Sequence, residues 1–332
     1  MSANVPSLTR RAMASMLGAS AIMPLTAGFV HAGKIDRLAL YGPPAGPSVT
    51  LAHAVADGGF GEIAKAATFT VWRNPDELRA GLTSGAILLS VVPIQAAANL
   101  YNRGFPIRLA NVMTDGLLYI ISDTPEIRTV RDLAGRSLAV PFRGDTPELI
   151  LGQLLEHHGL DAQSDLKIRY TGSPVEAMQL LLAGQVEAAL TGEPSTTAGV
   201  LRGKRAGKDI RRAIDVQAAW GDMTGAVPVL PQAGLAVTKG FLDTHDDAVP
   251  RLLSVLETAT ADVLADPARA AANAREPLGL PAPLIAASVP HCNLVARPAA
   301  EARADIERML TAMAGDDMRR IAGRLPDDDF YL

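Results

Sequence analysis

Arg143-Gly144-Asp145-Thr146-Pro147-Glu148 sets a cation, a glycine, an acid and a hydroxyl directly ahead of a helix pattern. Gly144 lets a ligand come close to the backbone, and the N–H groups of a helix start attract negative charge. Arg143 has the fork that grips an oxyanion with two hydrogen bonds. Simple capping is the competing role for Asp145 and Thr146. Four other junctions share this grammar. Residues 40–48 hold Pro43, Pro44 and Pro47, a stiff loop presenting Tyr41 at one end and Ser48 at the other, where Ser48 can cap the next helix. Residues 89–93 run into Pro93 and Gln95, and residues 170–174 into Ser173-Pro174-Val175-Glu176. The latter has the spacing of a capping box, which accounts for Ser173 without any ligand. Residues 190–194 end on Glu193-Pro194, where an acid favours the helix start in its own right. The charges point two ways: Arg143 suits an oxyanion, whereas Glu193 and Asp145 suit an amine or a ring N–H donor.

Other chemistries lack their residues. There is no Gly-x-Ser-x-Gly elbow, and residues 203–209 have one residue too few between glycines for a phosphate loop. His157-His158-Gly159 reads as a helix end, and no second His or Cys cluster has metal-ligand spacing, so neither metal nor cofactor is expected. His53, His157, His245 and His291 fall on helices or their ends, away from the junctions. Cys292 is the single cysteine and closes no intramolecular disulfide. Residues 202–212 carry six basic residues and one acid without interleaved aromatics, a solvated face rather than a binding patch. Trp220 reads as core.

The elements that must position these loops alternate regularly. Strand patterns at 35–41, 68–72 and 86–92 are separated by helix patterns, which predicts parallel pairing with right-handed crossovers. Residues 107–113 and 117–122 are two strands with no helix between them, so the chain leaves one sheet and starts another. The alternation resumes at 137–140, 166–170 and 188–190, ends in the Gly- and Pro-rich stretch 220–234, and is followed by one strand at 235–238 and helices to the end. The expectation is an α/β chain with two open, mostly parallel sheets, helices on both faces and a hinged cleft. Lobe 1 is discontinuous, residues 33–121 plus 232–332, and lobe 2 is residues 122–231.

Residues 1–32 read as an export signal. Arg10-Arg11 precede an apolar run broken by Pro24, and Val30-His31-Ala32 supplies small residues for cleavage before Gly33. The paired arginines have the form of a twin-arginine signal, and the run is too short and interrupted to anchor in a membrane. Cleavage would remove both arginines and no acid, moving the formal charge from −4 to −6. Such a surface suits neither nucleic acid nor an anionic membrane.

Residues 132–140 (DLAGRSLAV), Gly144-Asp145-Thr146, Glu176-Ala177, residues 182–189 (LAGQVEAA) and Glu193-Pro194 resemble the periplasmic solute-binding proteins of nitrate, sulfonate and taurine ABC importers, the NMT1/THI5-like group. The ending 325–331 (LPDDDFY) resembles the tail of one branch of that family. The resemblance runs in order along nearly the whole chain after the signal. It implies the type II periplasmic binding protein fold, with the loop at Gly144 and the third-strand loop at Pro93 and Gln95 on the cleft. It also implies a monomeric, periplasmic, non-enzymatic subunit that captures a small organic or oxyanionic solute and delivers it to an ABC permease and its ATPase. The alternatives are a binder or enzyme of the thiamine-pyrimidine or other heterocycle type, and a periplasmic sensor subunit.

Overall fold

Short apolar strands that pass at once into helices recur through residues 34–332, the part described by the computed structural model. The expected export signal falls outside those residues. The chain opens with β1 (Leu38–Gly42), α1 (Gly46–Ala56), β2 (Ala67–Val71), α2 (Pro75–Ser84), β3 (Leu89–Pro93) and α3 (Ile94–Asn102). Three strands follow without an α-helix between them, β4 (Ile107–Leu109), β5 (Asn111–Thr114) and β6 (Leu118–Ser122). The second alternating block is β7 (Ser137–Pro141), α4 (Thr146–His157), β8 (Lys167–Thr171), α5 (Pro174–Leu182), β9 (Ala188–Gly192) and α6 (Ser195–Arg205). It continues through β10 (Arg211–Asp215) and α7 (Val216–Thr224) to β11 (Ala233–Thr238). The chain ends with α8 (Lys239–His245), α9 (Ala248–Ala265), α10 (Pro267–Leu278), α11 (Ala282–Ser288), β12 (Leu294–Pro298) and α12 (Ala299–Ala314). Local chemistry sets these bounds. At α2, Asn74 caps the start by accepting the Glu77 N–H at 2.9 Å, and Gly85 ends the helix at φ +74°, where a side chain would be strained.

The strands form two sheets. One has the order β12-β5-β11-β3-β1-β2 with β4 also on β11, and the other has the order β10-β6-β9-β7-β8. Both contain the same unit: a first strand in the middle, the second on one side, the third on the other, all parallel. Beyond the third strand the pairing turns antiparallel, because β11 and β6 arrive after a crossing between lobes and enter from the opposite end. The sheets are therefore mixed, and parallel pairing is confined to β1 to β3 and β7 to β9. The second sheet also begins one strand before the expected boundary at 121/122, since β6 pairs with β9 and β10. Three elements escaped the sequence reading. β10 and β12 are five-residue strands at sheet edges, and α7 occupies the front of the segment read as a Gly- and Pro-rich break.

Burial joins the lobes as well as filling them. Ile120 and Ile121, adjacent on β6, point to opposite faces and belong to different core clusters. The cluster containing Ile120 also holds Ile94 from lobe 1, Leu154 from lobe 2, and Ile306 and Met309 of α12, which packs on α4. Each such fully buried side chain contributes about 1.5–3 kcal/mol. The C-terminal tail locks onto the first sheet: Phe330 is fully buried, and the Leu332 N–H donates to the Leu109 carbonyl at 2.9 Å. Among the described residues, no helix is long and apolar enough to cross a membrane.

The crossing strand β11 leaves no room at Gly234, which pairs with Val92. A Cβ there would overlap the main-chain oxygen of Asn111. Gly234→Ala is expected to cost about 1–3 kcal/mol by overpacking, read as a lower urea midpoint. A wild-type midpoint would contradict this packing.

Candidate ligand-binding cleft

Open α/β sheets bind ligands beyond the carboxyl ends of their strands, where helices on either side of the first strand diverge. Both sheets turn that edge toward one cleft of about 970 Å³. Its walls are the loops after β1 (Pro43 to Ala45), β2 (Trp72, Arg73), β3, β7 (Phe142, Gly144 to Pro147), β8 (Ser173 to Val175) and β9 (Gly192 to Ser195). Leu280, Pro281 and Leu284, between and within α10 and α11, close one side. Helices α2 to α6 all begin on this cleft, so five positive dipole ends converge on it. Pro75, Pro147 and Pro174 occupy their first turns and Pro93 and Pro194 their caps. Proline carries no N–H, so these helix starts bring positive potential with few direct donors.

Seven of the ten sequence candidates line the cleft: Pro93, Gln95, Gly144, Asp145, Thr146, Ser173 and Glu193. Two polar contacts span it. Asp145 is the N-cap of α4, yet its carboxylate caps nothing and instead accepts from Arg79 of α2 at 3.0 Å and 3.3 Å. The Thr146 hydroxyl donates to the Gln95 side-chain oxygen at 3.2 Å. The loop leading to Asp145 turns through Phe142 and Gly144, with φ of +58° and +80°. Left-handed backbone at Phe142 costs about 1–2 kcal/mol, and it sets the residue in the cleft wall. Ser173 caps α5 by accepting the Glu176 N–H at 3.2 Å, while the Glu176 carboxylate reaches past it to the Gly172 N–H.

Tyr41, Ser48 and Arg143 do not line the cleft. Tyr41 stands on the strand itself, half-buried against the core, one step before the loop that reaches the ligand space. Ser48 lies inside the first turn of α1 rather than at its cap, which is Ala45, and its buried hydroxyl sits against Gly42. Arg143 is exposed, with its guanidinium 4.8 Å from the Tyr170 ring centroid.

Glu193 is fully buried and already paired. Arg212 of β10 donates to its Oε1 from Nε at 3.0 Å and again from Nη2, and Thr197 N–H donates to its Oε2 at 3.1 Å. The guanidinium also faces the Tyr119 ring at 5.3 Å. Neither cleft carboxylate is thus left over for a ligand amine. Five arginines line the cleft, Arg73, Arg79, Arg103, Arg202 and Arg205. Arg79 pairs with Asp76 and Asp145, and among the described residues the other four have no carboxylate within ion-pair distance. Arg202 and Arg205 come from the stretch read as a solvated face. They are exposed, and α6 turns them to the cleft mouth. Their spacing, three apart on a helix that starts at a junction loop, was the available signal.

A protein-family model described as the NMT1-like family matches residues 78–276, more than half of the chain. The chain belongs to the NMT1-like family. Solved structures of low identity share the two-lobed periplasmic binding protein fold of this NMT1-like protein. An ABC transporter protein from Parabacteroides distasonis is 23% identical with a TM-score of 0.71, over 90% of this chain and 98% of that one. The periplasmic aliphatic sulphonate-binding protein from Escherichia coli is 18% identical with a TM-score of 0.68, over 87% and 95%. The periplasmic nitrate-binding protein from Synechocystis PCC 6803 is 14% identical with a TM-score of 0.59, over 75% and 69%. Among curated protein sequences, none matches the chain.

Two predictions follow from the paired carboxylates of the NMT1-like cleft. Arg212→Met leaves Glu193 buried without its cation, and is expected to destabilise by about 3–5 kcal/mol in urea unfolding. A loss below 1 kcal/mol would mean that the pair is solvated. Burial holds the Asp145 carboxyl above its ordinary range, with Arg79 opposing. A raised folded-state pKa favours folding below the unfolded value and loses that contribution as pH rises through the folded value. At neutral pH, Asp145→Asn should therefore melt no lower than wild type despite losing the Arg79 link. Melting curves from neutrality into acid test the sign, and a variant clearly less stable at neutral pH would reverse it.

Proposed function

We propose that the chain is the solute-binding subunit of an ABC importer, exported to the periplasm, which closes its lobes on a small organic anion and delivers it to a permease and its ATPase. The observation that carries this reading is the imbalance at the cleft. Among the described residues four arginines lack carboxylate partners, both acids are paired with arginine, and the walls between them are built largely from proline and leucine side chains with Trp72 and Phe142. Converging helix starts add positive potential. A ligand with an apolar body and one anionic group matches both parts, and a cleft of about 970 Å³ is far larger than a nitrate ion fills. This imbalance favours the oxyanion over the amine.

The fold likeness to sulphonate- and nitrate-binding proteins supports transport as the context. Binding rather than catalysis is favoured because none of the described histidines, nor Cys292, lines the cleft. We read the working form as a monomer with one ligand.

The test is thermal shift of the purified protein against alkyl and aryl sulfonates and carboxylates, nitrate, organic amines and flavins. Stabilisation follows ligand concentration over Kd. Organic anions are expected to raise the melting temperature, with uncharged and cationic analogues of the same skeleton inactive. Stabilisation by amines alone, or by no organic anion at millimolar concentration, would overturn the anion reading.

A further inference from the structure

We infer that the end of α1 remote from the cleft holds a divalent transition-metal cation, Zn²⁺ foremost, on His53, Asp57 and Asp262. One ligating atom from each of these residues lies within 4.8 Å of the other two. His53 and Asp57 are one helical turn apart, and Asp262 of α9 faces them across the α1–α9 contact, with its Oδ2 3.9 Å from His53 Nε2. The cleft and this cluster lie at opposite ends of α1, about 16 Å apart for eleven residues.

The independent observation is the imidazole. His53 is 1% exposed, and its Nε2 is buried with no hydrogen-bond partner. An orphaned buried ring nitrogen is costly in a folded protein, and this one is aimed at two carboxylates. Its Nδ1 lies 3.0 Å from the side-chain amide of Asn273. The nearer amide atom is Nδ2, which donates to Nδ1 as the side chain is oriented here; turning the Asn273 amide over lets its oxygen accept from Nδ1–H and frees the Nε2 lone pair for a metal, the arrangement that orients metal-binding histidines. Asp57 accepts from Arg269 at 2.5 Å, and its carboxyl is held below the ordinary range chiefly by that bond, so it stays ionised with a second oxygen to offer. The negative end of the α1 dipole adds to the field.

One imidazole and two carboxylates, with a water completing a tetrahedron, match zinc. The nitrogen ligand disfavours calcium and magnesium, which take oxygen. Zinc bonds of about 2.0–2.2 Å require the ligands to draw together. The two aspartates, 40% and 42% exposed, have the freedom to do so. The bound ion would fasten α1 to α9 at their surface ends, outside the ligand cleft.

The test uses the full chain stripped with chelator and titrated with ZnCl₂ by calorimetry and thermal melting. One Zn²⁺ per chain is expected, with a rise in melting temperature that Mg²⁺ does not reproduce. Asp262→Asn and Asp57→Asn, both at exposed positions, should each weaken zinc binding by on the order of tenfold or more, with unchanged circular dichroism. Absence of stoichiometric binding overturns the site, and so does zinc affinity that survives in the Asp57→Asn/Asp262→Asn double variant.

Discussion

The helix that follows a parallel strand has to start at that strand's carboxyl end, and the rest of this protein depends on that constraint. Both sheets repeat it with the same strand order, so five helix starts and their partial positive charges meet in one space. Antiparallel entry of β11 and β6 does not disturb this, because those strands arrive from the crossings and lead no helix into the cleft. The prolines at the helix starts fix the local backbone and remove donors that would otherwise have to be satisfied. A cleft built this way favours negative charge and tolerates an apolar body.

Carboxylates inside such a field need partners. Glu193 is sealed by Arg212 and Thr197, and Asp145 meets Arg79 from the other lobe. The two pairs differ in consequence. The first lies within the second sheet's lobe and belongs to its core, whereas the second crosses the cleft. With both acids neutralised, the unpaired rim arginines dominate the electrostatics of the opening, although the described chain as a whole carries more acid than base. Local charge at the opening thus opposes the net charge.

Much of the fold was legible because strand, Gly/Pro loop and helix follow one another locally. β10 and β12 were not, because each lies at a sheet edge and gains its identity from a distant partner, β6 or β5. The site was legible as loops and less so as side chains. Gly144 to Thr146, Pro93, Gln95, Ser173 and Glu193 line the cleft, since a loop position fixes where the backbone goes. Tyr41 and Ser48 miss it, because one residue along a strand or one turn of a helix changes the face. Which arginine meets which acid is a property of the folded chain: Arg79 and Asp145 are 66 residues apart. The cluster at His53 is a like case, with two members spaced one helical turn apart and the third on α9.

On the proposed function, both lobes grip a single organic anion. The most direct measurement is a double-mutant cycle on the affinity of the best-stabilising anion, using Arg73→Ala from lobe 1 and Arg202→Ala from lobe 2. Groups that hold one ligand are coupled, and independent sites add within about 0.5 kcal/mol. If one anion bridges the lobes, each variant weakens binding and the two effects are not additive. Additive effects, or wild-type affinity in the double variant, would contradict it.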